Sequence, residues 1–452
     1  MSAQDEYRNC VAIFCETARE ALERAVEGDS FFLTGIAGSG KSVVLRQVAH
    51  AIHLRGKKVA ITSTTGLSAQ NIGGATIHSW CGMYKNNCDD KRRHFPTDVV
   101  KRIGKTDCLI IDEISMASKQ LLERVNAIAQ RLRKNDRPFG GMQVIFCGDF
   151  HQLPPVSAKD PSFRHPAFPS KMFYLRKSQR QEDPAFVAFL NDVRNYDTVK
   201  VGAYINENLR RDLVDDADAT HLMFTRAKVS EKNIECLQSI EGDEYVFVAK
   251  DKVGDSEEDK EEFTKEADRT IEKRLVLKVG AKVIFLINKS GLVNGSTGRI
   301  LGFMSNWEAI ALQKHDSFHS ETFAEIVRGV DLSEVTTGEI ELNRQRQAYT
   351  VPIIRVGRKN HIVFPEKFDC NYGERLQLPL ALAYAITIHK SQGLSLDRAI
   401  VNLAGCYQHG LVYVALSRVR TRQGLCVRSF SPIMFEETSK SVEAQTVSRK
   451  FS

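Results

Sequence analysis

The sequence predicts an α/β protein built on parallel sheets, and three observations carry that prediction. Short buried apolar runs alternate with helical patterns from Ser30 to about residue 150, the pattern of parallel strands covered by helices. A glycine-rich turn, residues 35–42, joins the first of these runs to a helix. Beyond a region of short β-branched runs, buried strands return at RAIVNL (398–403) and GLCVRSF (424–430), so the second half reads as another α/β domain carrying a small β insertion. At 452 residues the chain is long enough for two or more domains, each with its own core.

Taken in order, residues 5–27 have a helical pattern, Ser30–Thr34 reads as a short buried strand, and Val43–Leu54 places apolar residues at helical spacing. VAITSTTG (59–66), CLIIDE (108–113) and QVIFCGD (143–149) are further strand-like runs that each end in polar residues. In open α/β sheets, ligands bind at such carboxyl ends. PPVSAKDPSFRHPAFP (154–169) holds five of the twelve prolines, so it is expected to cross the surface without regular structure and to close the first half. Residues 250–270 are nearly all charged or polar and read as a mobile excursion, with a solvated helix as the alternative. Runs between 275 and 303, separated by NKSG and NG, suggest short antiparallel strands, and this style continues to about 375. LALAYAITIHKSQG (380–393) is expected to return to helix.

Composition narrows the function classes. With 42% hydrophobic and 26% charged residues, the chain has an ordinary globular balance; no apolar stretch reaches the length of a membrane span, and Met1–Ser30 lacks the features of a secretory signal. The expectation is an intracellular protein with no membrane partner. Ten cysteines without a C-x-x-C pair signal neither a zinc site nor a disulfide framework. A net charge of +7 suits a polyanionic partner mildly, and a solvated basic surface explains it equally well.

The turn itself, FFLTGIAGSGKS (31–42), fits G-x-x-x-x-G-K-[ST] without a mismatch. Gly35, Ile36, Ala37, Gly38, Ser39 and Gly40 would turn the backbone so that successive N–H groups face phosphate oxygens at the start of a helix. Lys41 would reach the β and γ phosphates, and Ser42 would hold a magnesium ion. An ordinary Gly-rich turn is the alternative, and the strand-loop-helix context argues against it. LIIDEISM (109–116) adds Asp112 as a magnesium ligand and Glu113 as the group that polarises water; a helix cap is the alternative, and the run of four apolar residues ahead of the pair argues against it. Gln152 in GDFHQLPP has the reach to touch a γ phosphate or its water.

These segments imply an ATPase core using ATP and Mg²⁺, with its work undefined: a nucleic-acid motor, a P-loop kinase, a switch GTPase and a nucleotide-binding scaffold all stay open. Arg180 in QRQED and Arg418 in YVALSRVR, which reads as a helix after Tyr413, supply the planar fork that a phosphoryl-transfer transition state needs. Either arginine alone could equally form a surface ion pair.

The words around them carry a resemblance. GKSVVLRQVAHAI, TSTTGLSAQNIGGATIHSW, LIIDEISM, CGDFHQLPPV, RQEDPAFVAFLNDVR, LVNGSTGRILGF, AYAITIHKSQGLSLD and VALSRVR stand in the order and approximate spacing of the superfamily 1 DNA helicases. DRPFGGMQVIFCGDFHQLPPV closely resembles the signature of the petite-integration-frequency (PIF) family, and the likeness spans about residues 30–430.

The resemblance implies two RecA-like P-loop domains that clamp ATP, after an N-terminal helical segment (1–29). The first would run over 30–172 and supply Gly38, Lys41, Ser42, Asp112, Glu113 and Gln152. The second would run over 173–452, supply Arg180, Gly393 and Arg418, and carry an SH3-like β-barrel insertion at 292–376. Single-stranded DNA would be touched by Thr64, Thr65, His78, His389 and Ser391, since hydroxyl and imidazole groups bind phosphate or sugar without reading sequence. For His78 and His389 a helix-end histidine bonded to backbone is the alternative.

Two departures stand out. Residues 81–105, where the family places a subdomain with a strand-separating loop, are short; and the position of the adenine-reading glutamine falls at Ala18, between Thr17 and Arg19.

The expected function is an ATP-dependent DNA helicase translocating 5′ to 3′ in replication, repair, recombination or telomere maintenance. The alternative is a DNA-stimulated translocase that remodels nucleoprotein or RNA–DNA hybrids with little unwinding. Expected partners are single strands and single/double-strand junctions, with G-quadruplexes and hybrids open. The free protein is expected to be monomeric, and a eukaryotic one nuclear or mitochondrial.

Overall fold

Phe31, Phe32 and Leu33 are buried to 1% exposure or less, and because strand side chains alternate, they must enter two different cores. They open β1 (Phe31–Gly35), which lies inside a six-stranded sheet with β2 (Val59–Ser63), β3 (Ala75–Thr76), β4 (Cys108–Asp112), β5 (Gln143–Cys147) and β6 (Met172–Leu175), in the order β3-β2-β4-β5-β1-β6. All of its pairings are parallel. The computed structural model describes residues 15–440 apart from 66–67, 70–71, 84–94, 156–159, 211–218, 255, 288–291, 293–294, 306–349, 371, 404 and 406–407. The chain divides into two compact units, one of Met1–Val214, Ser391–Gly393 and Asp397–Ser452, the other of Asp215–Lys390 and Leu394–Leu396.

In the first unit, Phe31, Leu33, Ile110 and Ile145 face one way and pack on α1 (Glu16–Glu27) and α2 (Lys41–Leu54) through Leu22, Leu45, Val48 and Ile52. Phe32, Leu109, Ile111, Val144 and Phe146 face the other way, onto α3 (Ile77–Cys81), α4 (Thr97–Lys105) and α5 (Lys119–Arg133). Each large side chain so buried contributes about 1.5–3 kcal/mol, and strands buried on both faces account for near-continuous apolar runs. β6, the edge strand, runs across the expected 172/173 boundary. Among its described residues, the proline-rich stretch after β5 contains a short 3₁₀ turn, Ser162–Arg164, and a single β-bridge from Pro161 to Ser118. Next come α6 (Pro184–Arg194), capped by Asp183 with Pro184 in its first turn, and α7 (Thr198–Asn208).

The second unit begins with β7 (Thr220–Met223) and α8 (Arg226–Gln238), followed by β8 (Tyr245–Val248) and β9 (Lys250–Val253). Residues Glu257–Thr270 form α9, capped by Ser256, with Phe263 and Ala267 buried against Cys370. This corrects the expected mobile excursion: two apolar residues four apart suffice to seat one face while the rest stays charged, a stripe too sparse to see in composition. The chain continues through β10 (Arg274–Leu277), β11 (Lys282–Phe285), β12 (Thr297–Ser305), β13 (Thr350–Val356), β14 (Lys359–Ile362), β15 (Glu366–Cys370), β16 (Gly373–Gln377), β17 (Leu380–Leu382) and β18 (Ala385–Thr387). β10 pairs with β8, and β14-β13-β12-β11-β17 form an antiparallel sheet, as the turn signals predict.

This sheet takes β11 and β17 from outside residues 292–376, while β15 and β16 join β9 in a separate one. The expected SH3-like insertion is therefore not a closed set of strands among the described residues, and 306–349 lie outside them. The expected helix over 380–393 is corrected as well. Leu380–Leu382 pairs with β11 and Ala385–Thr387 pairs in parallel with β7, because a short apolar run that includes Ile386, Thr387 and Ile388 satisfies strand and helix patterns equally until a neighbour pairs with it.

From residue 397 the chain lies again in the first unit, with β19 (Ala399–Asn402), α10 (Leu411–Leu416), β20 (Leu425–Ser429) and α11 (Pro432–Ser439); β19 and β20 are parallel. No described helix is long and apolar enough to cross a membrane.

Candidate nucleotide-binding site

β1 ends at Gly35, and α2 begins at Lys41, so the glycine-rich turn joins a strand end to a helix start. Gly38 has φ +75°, and a Cβ there would lie 2.5 Å from the Arg180 Cβ; the site requires glycine both for its backbone and for this close approach. The Gln179 amide donates to the Gly38 carbonyl at 2.8 Å, which seats residues 178–181 on the loop. The Lys41 ammonium donates to the carbonyls of Gly35 (2.9 Å) and Ile36 (3.0 Å), folding the side chain back over the turn.

The acid pair ends β4. Asp112 is buried, and its Oδ2 lies 3.5 Å from the Ser42 hydroxyl; its Oδ1 accepts the Glu113 amide at 2.9 Å. Glu113 sits at φ 52°, a left-handed conformation that costs a non-glycine residue about 1–2 kcal/mol. Burial raises both carboxyls above the ordinary range, and for Glu113 the neighbouring Asp112 adds to the effect. The Gln392 amide nitrogen donates to Glu113 Oε2 at 3.1 Å, and the Thr64 hydroxyl donates to the Glu113 carbonyl at 3.0 Å.

Arg180 donates to the Ser417 carbonyl at 2.9 Å, while Gln181 donates to the carbonyls of Ser417 (3.2 Å) and Val419 (2.9 Å). Arg418, 1% exposed, donates to the carbonyls of Val414 (2.7 Å) and Ser391 (3.4 Å) and to the Ser417 hydroxyl (2.8 Å). Burial pushes the guanidiniums down to about 9 for Arg180 and about 10 for Arg418, so both stay charged at neutral pH. Arg180, Gly393 and Arg418 fall in the same compact unit as the loop.

Gln152 is held from beneath. Its side-chain amide donates to Asp149 Oδ2 at 3.3 Å, and Asp149 is paired with Arg194 at 3.1 Å, both buried. A Cβ on Gly410 would meet the Gln152 carbonyl oxygen at 2.2 Å, so the start of α10 rests on this segment. The Tyr413 hydroxyl accepts the Ala37 amide at 2.8 Å. Asp149, Arg194, Gln392 and Tyr413 were absent from the sequence-derived site; an aspartate directly after the glycine that ends a buried strand was the only visible hint.

The expected DNA contacts separate. Thr64 and Thr65 follow β2 half-buried, and Thr65 donates to the Ser68 hydroxyl at 2.9 Å. His78 lies in the first turn of α3, where burial and then Arg124 push its imidazole down to about 4, leaving it neutral at pH 7. Ser391 is fully buried beside the nucleotide-site residues, its carbonyl accepting from Arg418 at 3.4 Å. His389 belongs to the second unit, exposed after β18, with the Phe224 ring 6.5 Å away.

The residues fit a nucleoside triphosphate and a hard divalent cation. The Ser39 hydroxyl in the loop is buried without a partner among the described residues, Lys41 is at hand, and Ser42 with Asp112 offers the hydroxyl and carboxylate oxygens that magnesium prefers. Such a loop at the end of a parallel strand, with an acid pair at the same end of a second strand one position removed in the sheet, defines a P-loop nucleotide-binding protein of RecA-like architecture.

Within that class the relatives are specific. The description "PIF1-like helicase" fits residues 13–194. The chain is 36% identical to ATP-dependent DNA helicase RRM3 of Saccharomyces cerevisiae over 89% of its own length and 63% of that protein's. It is 32% identical to ATP-dependent DNA helicase PIF1 of Homo sapiens over 92% and 61%. Its fold matches the Pif1 helicase of Candida albicans with TM-score 0.74 and 29% identity, covering 97% of this chain and all (100%) of that one. It also matches a Bacteroides Pif1 helicase in complex with ADP-AlF3 and ssDNA, with TM-score 0.62 and 26% identity over 95% of this chain and 98% of that one. The chain is thus similar to PIF1-like helicases along most of its own length, and it spans about three fifths of the length of these two relatives.

Proposed function

We propose that the protein is an ATP-dependent DNA helicase that moves 5′ to 3′ on single strands and opens duplex or structured DNA. The observation that carries this reading is the convergence of the phosphate loop, the Asp112–Glu113 pair, Gln152 and two charged arginines within one compact unit. Lys41 and the loop amides bind the phosphates; Ser42 and Asp112 would hold magnesium, which when bound would neutralise charge on the phosphate oxygens; Glu113 accepts a proton from the attacking water, oriented with the help of Gln152. Arg180 and Arg418 stabilise charge in the transition state, and Gly393 gives the turn beside them its shape. Thr64, Thr65, His78 and His389 contact the strand. His389 lies near exposed Arg226 at the carboxyl end of a parallel strand pair, where a polyanion would find a cation.

Single strands and their junctions with duplex are the proposed substrates, with G-quadruplexes and RNA–DNA hybrids as further ones for a monomeric enzyme. In a eukaryotic source the nucleus or mitochondrion would be the compartment. The short stretch 81–105 favours a second reading, a translocase that remodels nucleoprotein and unwinds poorly. Partial duplexes with a 5′ or a 3′ single-stranded tail decide between them: ATP-dependent opening of the 5′-tailed substrate alone is expected. Opening of the 3′-tailed one would overturn the polarity, and movement without opening would favour the second reading.

A further inference from the structure

Ser391–Gly393 are three residues of the first unit flanked on both sides by residues of the second, so this stretch of IHKSQG is covalently continuous with exposed His389 two residues upstream. The stretch touches both halves of the hydrolytic chemistry. The Ser391 carbonyl accepts from Arg418 at 3.4 Å, and the Gln392 amide nitrogen donates to Glu113 Oε2 at 3.1 Å. Gln392 is buried to 9% exposure, and its Oε1 has no partner among the described residues, an arrangement that leaves one end of a buried amide unsatisfied while the other end holds the glutamate. An unpaired buried acceptor is destabilising, so the contact belongs to a state that a change of partner can relieve. Gly393 follows at φ +81° with open space where a Cβ would stand, so a turn with room to move lies directly behind Gln392.

We propose that Gln392 is a positioning residue that restrains the Glu113 carboxylate and releases it when the strand-contacting part of the same segment engages DNA. A carboxylate oxygen bonded to Gln392 is directed at the amide instead of at water. Displacing residues 388–390 by a bound strand pulls on Ser391 and Gln392 through the backbone, freeing Glu113 and shifting the carbonyl that Arg418 holds. The glutamate is also held through its own carbonyl by Thr64, a second expected strand contact, so the water-activating residue has a bond to each of two DNA-contact segments. This proposal rests on the helicase reading above and names how its strand and nucleotide are coupled.

The test uses Gln392→Met, which keeps the side-chain length and removes the donor, with a thymidine oligonucleotide as the strand. ATP turnover is measured with and without it. In parallel, the anisotropy of the labelled oligonucleotide gives its Kd with and without a non-hydrolysable ATP analogue. The wild type should show strand-stimulated turnover and a several-fold effect of the analogue on strand affinity. In Gln392→Met the strand-free turnover should rise about ten-fold, stimulated turnover should stay within about three-fold of wild type, and the analogue's effect on strand affinity should collapse towards one, since coupling between two ligands is reciprocal. A variant with wild-type stimulation and coupling overturns the proposal. So does a variant in which both turnovers fall together while the coupling factor survives, because Gln392 would then only orient Glu113 or support the fold. Absence of stimulation in the wild type would instead count against the helicase reading. The strand-free turnover of Gln392→Met would still decide whether the amide restrains Glu113, a rise supporting the restraint and no rise overturning it.

Discussion

The Tyr413 hydroxyl accepts a hydrogen bond from the Ala37 backbone amide at 2.8 Å. A residue on the helix that leads to Arg418 thereby occupies an amide of the loop that would receive phosphate. Tyr413→Phe keeps the buried ring and removes the competing acceptor. A net hydrogen bond contributes about 1 kcal/mol, so ATP should bind about five-fold more tightly. Titration with a fluorescent ATP analogue checks this; weaker binding would mean that the hydroxyl organises the loop.

Lys41→Ala and Glu113→Gln should fail differently. Lys41 lies on the loop carbonyls within reach of a phosphate, whereas Glu113 stands beside Asp112 at the strand end. The first variant should lose nucleotide affinity as well as turnover, and the second should bind ATP and hardly hydrolyse it. Equal, mild losses in both would contradict these roles. Binding and single-turnover measurements separate the two.

Replacing Arg418 or Arg180 with lysine keeps a charge and removes the fork, and should lower kcat by roughly a thousand-fold or more. Arg418 has its Nε and both terminal nitrogens engaged, so thermal melting of Arg418→Lys must accompany the kinetics. Near-normal kcat in a folded Arg418→Lys would reduce VALSRVR to packing.

Base selectivity should be loose. Ala18 is 1% exposed and packed in the core of α1, where a paired amide reader would otherwise stand by the resemblance. Since a bidentate amide contact contributes about 1–3 kcal/mol of discrimination, ATP and GTP should differ by no more than roughly ten-fold in kcat/KM at saturating DNA. A preference of several hundred-fold for ATP would place a reader elsewhere, and substitutions from Thr17 to Glu20 would be the first place to look.

The Asp149–Arg194 pair sets an acid limit on the fold. Burial raises the Asp149 carboxyl, but Arg194 and then Lys41 and His151 more than offset this, and it titrates at about 2. Its folded value lies below the ordinary one of about 4, so its contribution is present above pH 4 and lost as pH falls towards 2, on the order of 2 kcal/mol in all. Arg194→Met strands a buried carboxylate and should cost about 3–5 kcal/mol at pH 7. Denaturant melts of both proteins from pH 7 to pH 3 measure it, and the gap should narrow as Asp149 protonates in the variant.

Spacing alone made the phosphate loop legible, because Gly35, Gly40, Lys41 and Ser42 are neighbours in the chain and the backbone between them performs the binding. The same holds for Asp112 and Glu113, which end one strand. The alternation that makes β1, β4 and β5 was equally readable, since strands buried on both faces must be apolar throughout. Tertiary structure alone decided the rest. Within the run 380–393, residues 380–382 and 385–387 became strand because β11 and β7 pair with them, and α9 became anchored because Phe263 and Ala267 find Cys370. Tyr413 reaches Ala37, Gln392 reaches Glu113 and Arg194 reaches Asp149 across tens to hundreds of residues, and each of these contacts depends on a burial that no local pattern encodes. Local chemistry is written in consecutive residues, whereas the partner of a buried polar group is chosen by where the whole chain lets it be satisfied.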